Sequence, residues 1–371
     1  MAYERDNIRR LAAYVPGEQP QTQRVIKLNT NENPYPPHAA VLQAIRDVGP
    51  DALRRYPSPR AERFRDTAAR VHDLDPSQVI ATNGGDELLR LAFTAFCNPV
   101  AGGDASSAAG GAGVAEPSYS LYPVLAEIQD TPLVRLPLDA GFALPDDFAE
   151  RLNAAGCRLA LVVNPHAPSG RRESIDTLRR VAERFEGVLL IDEAYVDFAE
   201  ADALPLLREG DLDNVLILRS LSKGYSLAGL RFGYGMGHAG LIAALDKARD
   251  SYNADVLSQA AAVAALEQRD AISATWQNVI AERDRLTTAL RGEGWQVLDS
   301  HTNFILATPP SAGPDARTIY ENLKAGGIFV RYFDQDRLRD KLRITVGTPE
   351  QNDALLAALV KVPTTTKSSA P

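Results

Sequence analysis

Lys223 stands in the run Ser220-Leu221-Ser222-Lys223-Gly224-Tyr225, with Arg231 eight residues further on. Alone, such a lysine reads as a solvated surface charge. Its neighbours change that reading. Two hydroxyls, a guanidinium and a glycine-containing loop make an anion seat, and the amine is a nucleophile toward a carbonyl carbon. The combination suits an aldehyde cofactor that carries a phosphate. Asp192 closes the apolar run 188–191, and Tyr195 follows in Asp-Glu-Ala-Tyr. In isolation Asp192 is a turn or capping carboxylate; beside a carbonyl-binding lysine it suits the ring nitrogen of pyridoxal 5′-phosphate (PLP), kept protonated so that the ring accepts electrons. Tyr195 and Asn164, the latter at a neighbouring strand end, can both hydrogen-bond the phenolic oxygen of that ring. The turn Asn83-Gly84-Gly85-Asp86 opens a helical stretch, so the amides of Gly85 and Asp86 offer a second phosphate seat. Without a GxGxxG pattern it makes no case for a dinucleotide. Tyr119, in Glu-Pro-Ser-Tyr, is either a core aromatic or a ring that stacks on a flat heterocycle.

These residues need a frame that brings them together. The runs 79–82, 159–163, 188–191 and 215–218 are continuously apolar, as expected for strands covered on both faces, and helical periodicity lies between them. That alternation predicts an α/β fold with a mainly parallel sheet. In such sheets ligands bind beyond the carboxyl ends of the strands, where the polar residues above fall. From 257 to 290 the pattern is helical, with Ile272, Trp276, Val279, Ile280, Leu286 and Leu290 on one stripe before Gly292 and Gly294. This predicts a long helix bridging to a second domain. Strands are expected at 303–307, 328–332 and 342–346, followed by a helix from Pro349 that Thr348 caps and Gln351 closes into a capping box. Residues 101–115 are almost wholly Gly, Ala and Ser, which predicts a flexible or irregular insertion. The polar tail 363–371 reads as disordered.

Composition narrows the function classes. A chain of 371 residues with 45% hydrophobic and 24% charged positions is globular and long enough for two domains. Forty basic against 48 acidic residues give a net charge of −8, the wrong sign for nucleic acid or an anionic membrane surface. No run of about 18 apolar residues predicts a membrane span, and the first residues lack a signal-peptide core, so a cytoplasmic location is expected. Cys97 and Cys157 form no CxxC, and the five histidines have no ligand spacing. No metal site is expected, and each histidine is read as a surface or loop residue.

The motifs, taken in order, resemble those of the fold-type I, PLP-dependent aminotransferases of class I/II, and within them the histidinol-phosphate aminotransferase family. The resemblance runs through AYVPGEQP, LNTNENPYPP, RRYPSP, TNGGDELLRLAF, EPSYSLYP, NPHAPSG, LLIDEAYVDF, SLSKGYSLAGLRFGY, HTNFIL and LRITVGT, nearly the whole chain. It implies a mainly parallel seven-stranded sheet in a large PLP-binding domain, 45–256, and a smaller α+β domain. The smaller domain would comprise an N-terminal arm and part, 1–44, and a linking helix and C-terminal part, 257–362. The resemblance further implies that Lys223 bonds to the cofactor and moves a proton at the substrate α-carbon. Asp192 pairs with the ring nitrogen, Tyr195 and Asn164 hold the phenolic oxygen, and Tyr119 stacks on the ring. Ser220, Ser222, Arg231, Gly85 and Asp86 bind the phosphate, and Tyr56 of the RYP motif reaches the neighbouring subunit's phosphate in a homodimer with shared sites. Arg343 clamps the glutamate carboxylate, while Tyr14 and Arg331 seat the phosphate of an imidazole substrate. The implied reaction is transamination of L-histidinol phosphate with 2-oxoglutarate, giving imidazole acetol phosphate and glutamate, a step of histidine biosynthesis. The family's NPNNPTG is altered to Asn164-Pro165-His166-Ala167-Pro168-Ser169-Gly170, with His166 near the cofactor as a loop residue.

Four other readings share parts of this pattern. An aromatic amino-acid transaminase and a PLP decarboxylase of a phosphorylated amino acid use the same fold. A non-catalytic binding protein on the same scaffold is disfavoured by the presence of Lys223, Asp192 and Arg231. A nicotinamide oxidoreductase lacks its dinucleotide fingerprint.

Overall fold

The structure is a computed structural model that describes residues 3–14, 17–20, 25–100 and 109–360. In chain order its strands are β1 (Ile26–Lys27), β2 (Val79–Thr82), β3 (Ala112–Glu116), β4 (Leu133–Pro137), β5 (Leu159–Val163), β6 (Val188–Asp192), β7 (Val215–Ser220), β8 (Gly233–Gly237), β9 (Gln296–Val297), β10 (Phe304–Thr308), β11 (Ile328–Phe329), β12 (Arg331–Tyr332) and β13 (Leu342–Thr345). Seven of them form one sheet in the order β2-β8-β7-β6-β5-β3-β4, parallel except where β8 meets β2 and β7. The fold is the mixed α/β, mainly parallel arrangement expected.

The apolar runs are continuous because both faces of the sheet are covered. Val79, Ala81, Ala160, Val162, Leu189, Ile191, Val215 and Ile217 enter one core, with Phe64 and Ala68 from the helix Glu62–His72. Ile80, Leu159, Leu161, Leu190, Leu216 and Leu218 enter the other, with Leu88 and Leu89 from the helix Gly84–Phe96. Successive strand side chains point to opposite faces, so one run feeds two cores. Full burial of each Leu or Ile contributes about 1.5–3 kcal/mol. Register aligns the strand ends: Val163 pairs with Asp192, and Asp192 with Leu218.

The second assembly joins both ends of the chain. Strands β12-β13-β10-β9 form an antiparallel sheet, and β1 pairs in parallel with β11. Its core unites Leu28 with Leu286, Leu290, Ile305, Ile319, Leu342 and Ile344. Thr348 caps the helix Pro349–Val360 as predicted: the Gln351 amide donates to its hydroxyl at 3.3 Å, and Gln351 Oε1 accepts from the Thr348 amide at 3.0 Å.

Several expectations are corrected. Residues 112–116 are not irregular but form β3, a buried strand between β4 and β5. Its small residues are required by close packing, since a Cβ on Gly113 would lie 2.3 Å from a Leu152 methyl. Residues 101–108 of the same segment lie outside the described residues, as does the tail 363–371. The helical stretch 257–290 is two helices, Val256–Glu267 and Arg269–Gly292, separated at Gln268, whose backbone leaves helical geometry. The strand expected at 328–332 is interrupted at Val330, because β11 pairs with β1 and β12 with β13. One histidine departs from the surface-or-loop reading: His72 is buried and bonds the Tyr234 hydroxyl at 2.9 Å from within its helix. His166 lies in a loop as expected, but buried, where it bonds Ser169 and the Pro117 carbonyl.

Candidate active site

The segments that follow β2, β3, β5, β6 and β7 open on one cleft of about 480 Å³, within the range of small-molecule sites. Residues 29–32 and the side chains of Arg331, Phe333 and Arg343 close its other side.

Lys223 lies just beyond β7, in a loop pinned immediately after it: the Gly224 carbonyl accepts from Asn33 at 3.1 Å and from the Trp276 indole at 2.7 Å. Its amine donates to the Thr30 carbonyl at 3.0 Å and sits 5.8 Å from the Tyr195 ring centre. Burial pushes the amine down to about 8, with Arg343 and Arg231 adding to the shift and Glu32 and Asp86 opposing it. A lysine so placed supplies free-base nucleophile near neutral pH, which a solvated one does not.

Asp192, at the end of β6, is 5% exposed. It accepts from the Tyr122 hydroxyl and the Ala194 amide, each at 3.0 Å. Both donors are neutral, and among the described residues no cation contacts it. Burial accordingly pushes its carboxyl up to about 6. A carboxylate held this way lacks one positive partner, which the protonated nitrogen of a bound heterocycle supplies. Tyr195 accepts from the Asn31 carboxamide at 3.0 Å, and burial raises its phenol above the ordinary range.

The anion seat is built around the helix Gly84–Phe96. No side chain caps its first turn, so those amides face the cleft unshielded. Strand β8 passes directly beneath the turn, and only a glycine fits there: a Cβ on Gly233 would lie 2.7 Å from the Gly84 carbonyl carbon. Arg231 reaches the same place and contacts the Asp86 carboxylate at 3.1 Å. The Ser220 hydroxyl accepts from the Ser222 amide at 3.1 Å. Tyr119 donates to Asp86 at 3.2 Å and packs edge-on to Tyr14 and Tyr122.

Arg343, on β13, donates to the Asn29 carbonyl at 2.9 Å and lies over the rings of Phe304 and Phe333. Its Nε is buried without a partner, and burial beside Arg331 lowers its affinity for its proton. Arg331 also lies over Phe333, at 5.1 Å. Two guanidiniums facing one cleft provide for two anionic groups.

The cleft therefore gathers Lys223, Asp192, Tyr195, Gly85, Asp86, Tyr119, Ser220, Ser222, Arg231, Tyr14, Arg331 and Arg343. Two expected residues do not line this cleft. Asn164 is buried at the end of β5, its carboxamide oxygen engaged by the Glu173 amide at 2.7 Å, which leaves its Nδ2 as a donor. Tyr56, expected at the neighbouring subunit's site, is 81% exposed and stacks on Tyr252. Conversely, Thr30, Asn31 and Tyr122 had no assigned role. The asparagine-rich run Leu28-Asn29-Thr30-Asn31-Glu32-Asn33 directly after a strand was the available signal, whereas nothing in Ser-Leu-Tyr-Pro marks Tyr122.

Known proteins are similar to this chain over nearly its whole length. Residues 23–359 match the model of the family described as aminotransferase class I and II. The chain is 43% identical over 360 residues to histidinol-phosphate aminotransferase 1 of Trichormus variabilis, covering 96% of this chain and 98% of that protein. It is 41% identical over 359 residues to histidinol-phosphate aminotransferase of Syntrophotalea carbinolica, at 96% and 99% coverage. The crystal structure of histidinol-phosphate aminotransferase from Sinorhizobium meliloti in complex with pyridoxal-5′-phosphate superposes with a TM-score of 0.87 at 26% identity, covering 98% of each chain. The lysine, the buried carboxylate and the uncapped helix turn thus occur in a chain matched over nearly its whole length, and this chain belongs to the class I and II aminotransferase family.

Proposed function

We propose that the protein is a PLP-dependent aminotransferase that converts L-histidinol phosphate and 2-oxoglutarate to imidazole acetol phosphate and glutamate, a step of histidine biosynthesis. The observation that carries this reading is the meeting of a nucleophilic Lys223, a buried Asp192 without a cationic partner and three guanidiniums in one cleft. The names of the full-length relatives supply the substrate.

The residues present fit PLP. Asp192 lacks a cationic partner, the first-turn amides at Gly85 and Asp86 are uncapped, and Arg231, Ser220 and Ser222 lie beside them. Bound there, PLP supplies an electrophilic carbonyl and a ring that withdraws electrons from the substrate α-carbon. Lys223 is the residue that would hold it covalently at rest and, once released, carry the proton at the α-carbon. Asp192 would keep a proton on the ring nitrogen, and Tyr195, together with the Asn164 carboxamide, would hold the phenolic oxygen. Tyr119 would lie against the ring. Arg343 would orient the carboxylate of glutamate through two parallel hydrogen bonds, and Arg331 with Tyr14 would seat the phosphate of the imidazole substrate.

We read residues 45–256 as the large domain, and 1–44 with 257–362 as the small one. The working form in this reading is a cytoplasmic homodimer. Support comes from Tyr56, Leu53 and Tyr252, which are exposed at 81%, 59% and 41%, an apolar group well suited to burial by a second copy. Tyr56 would then reach the partner's cofactor phosphate. Sedimentation tests the assembly, and a monomer at working concentration would refute it. For the reaction, Lys223→Ala should abolish both turnover and the visible band of the PLP-loaded protein, whereas retention of both would defeat the assignment.

A further inference from the structure

Three consecutive residues of the N-terminal segment touch three chemically distinct groups of the cleft. The Asn29 carbonyl accepts from Arg343 at 2.9 Å, the Thr30 carbonyl accepts from Lys223 at 3.0 Å, and the Asn31 side chain meets the Tyr195 hydroxyl at 3.0 Å. The third contact has a direction that the surrounding bonds determine. Asn31 is 1% exposed and adopts the left-handed conformation at φ 56°, which asparagine tolerates. Its backbone N–H donates to the Thr345 hydroxyl oxygen at 3.0 Å, and the Thr345 hydroxyl donates its own proton to Asn31 Oδ1, also at 3.0 Å. The Asn303 carboxamide holds the Asn31 carbonyl at 2.9 Å. With Oδ1 committed to Thr345, the atom facing Tyr195 is Nδ2, which only donates. The phenolic oxygen therefore accepts, and its proton is left for another acceptor. Among the described residues Tyr195 has no such acceptor, and its side chain lines the cleft.

We propose that Asn31 is a positioning residue that, held by Thr345, fixes the Tyr195 hydroxyl as a donor into the cleft toward an anionic oxygen of the bound cofactor. The inference rests on the functional reading above. Donation from Asn31 also polarises the phenol and strengthens the bond it gives. The arrangement makes the small sheet, through Thr345 on β13, part of the electronic setting of the large one.

The test uses the PLP-loaded enzyme and reads the pH midpoint of its visible absorption band. A hydrogen bond given to the cofactor's oxygen anion favours its deprotonated neighbour, so weakening that bond raises the midpoint. The charged groups facing Tyr195 are Lys223, Asp192 and Arg343, the titratable phenols are those of Tyr14, Tyr119 and Tyr122, and all are unchanged in the uncharged variants. Asn31→Gly keeps the left-handed backbone and removes the donor; Thr345→Val frees the carboxamide to turn its oxygen toward Tyr195. Each should raise the midpoint by about one pH unit, a tenfold change in the proton equilibrium. Asn31→Asp, which presents only an acceptor, should raise it further. In a Tyr195→Phe background Asn31→Gly should add nothing. Unchanged midpoints in Asn31→Gly and Thr345→Val, with melting temperatures showing both folded, would overturn the proposal. Absence of any visible band in the parent protein would instead defeat the functional reading.

Discussion

Replacing Arg343 by lysine keeps the charge and removes the fork. In the structure one guanidinium nitrogen is spent on the Asn29 carbonyl, and the group is held over Phe304 and Phe333 at 5.3 and 5.4 Å, so its remaining N–H groups are presented without further ordering. A carboxylate takes two parallel bonds from such a group but only a point contact from an ammonium. Loss of one charge-assisted bond costs about 1.5–3 kcal/mol, or roughly 10- to 150-fold in kcat/KM. The loss should fall on glutamate and 2-oxoglutarate, which carry the carboxylate at that position. L-histidinol phosphate has none, and its phosphate rests on Arg331 and Tyr14 in this account, so it should lose less. Steady-state kcat/KM for both substrates, with melting temperature as a check on folding, measures this directly. A folded Arg343→Lys enzyme whose kcat/KM for glutamate stays within about twofold of the parent would refute the assigned role.

Other consequences follow from burial and charge. His166 is held neutral, its affinity for a proton pushed down to about 4 by burial. The unfolded chain, with an ordinary value near 6.5, binds more protons between those limits. The stability from this residue is therefore complete above about pH 6.5 and is lost as pH falls toward about 4, by up to about 3 kcal/mol. His166→Gln should lose less melting temperature than the parent between about pH 7 and 4.5, and parallel curves would contradict the assignment. The Lys223 amine, pushed down to about 8, should make reconstitution of the apoprotein with PLP accelerate with pH and level off just above that value; a rate still climbing steeply near pH 10 would mean an unperturbed lysine. Gly113→Ala should destabilise the protein by about 1–3 kcal/mol, because the new Cβ would meet Leu152 at 2.3 Å. A neutral melting temperature would show that β3 and its helix are not packed as described.

Much of the cleft was legible because strand ends advertise themselves. An apolar run that stops at Asp192, Ser220 or Asn83 marks both a buried strand and the polar residue at its mouth, and register then brings these residues level. β3 was hidden for a physical reason: Gly113 is small because the helix bearing Leu152 presses on it, and smallness also marks loops. Asn164 carried the right chemistry at the right strand end, and which end of its carboxamide is left free is decided by the Glu173 amide nine residues later, which spacing does not encode. The burial of His72 and of the loop residue His166 was not legible because a histidine becomes a core residue only when both its depth and its partners are supplied by distant segments. The same applies to Asn31, whose role depends on Thr345 and Asn303 from the far end of the chain.

The choice of substrate is read by kcat/KM of the purified, PLP-loaded enzyme toward L-histidinol phosphate, phenylalanine and O-phosphothreonine, with 2-oxoglutarate as acceptor. A preference for L-histidinol phosphate of at least about tenfold over both others is the predicted result. A preference for phenylalanine, or release of carbon dioxide from O-phosphothreonine as the fastest reaction, would contradict it.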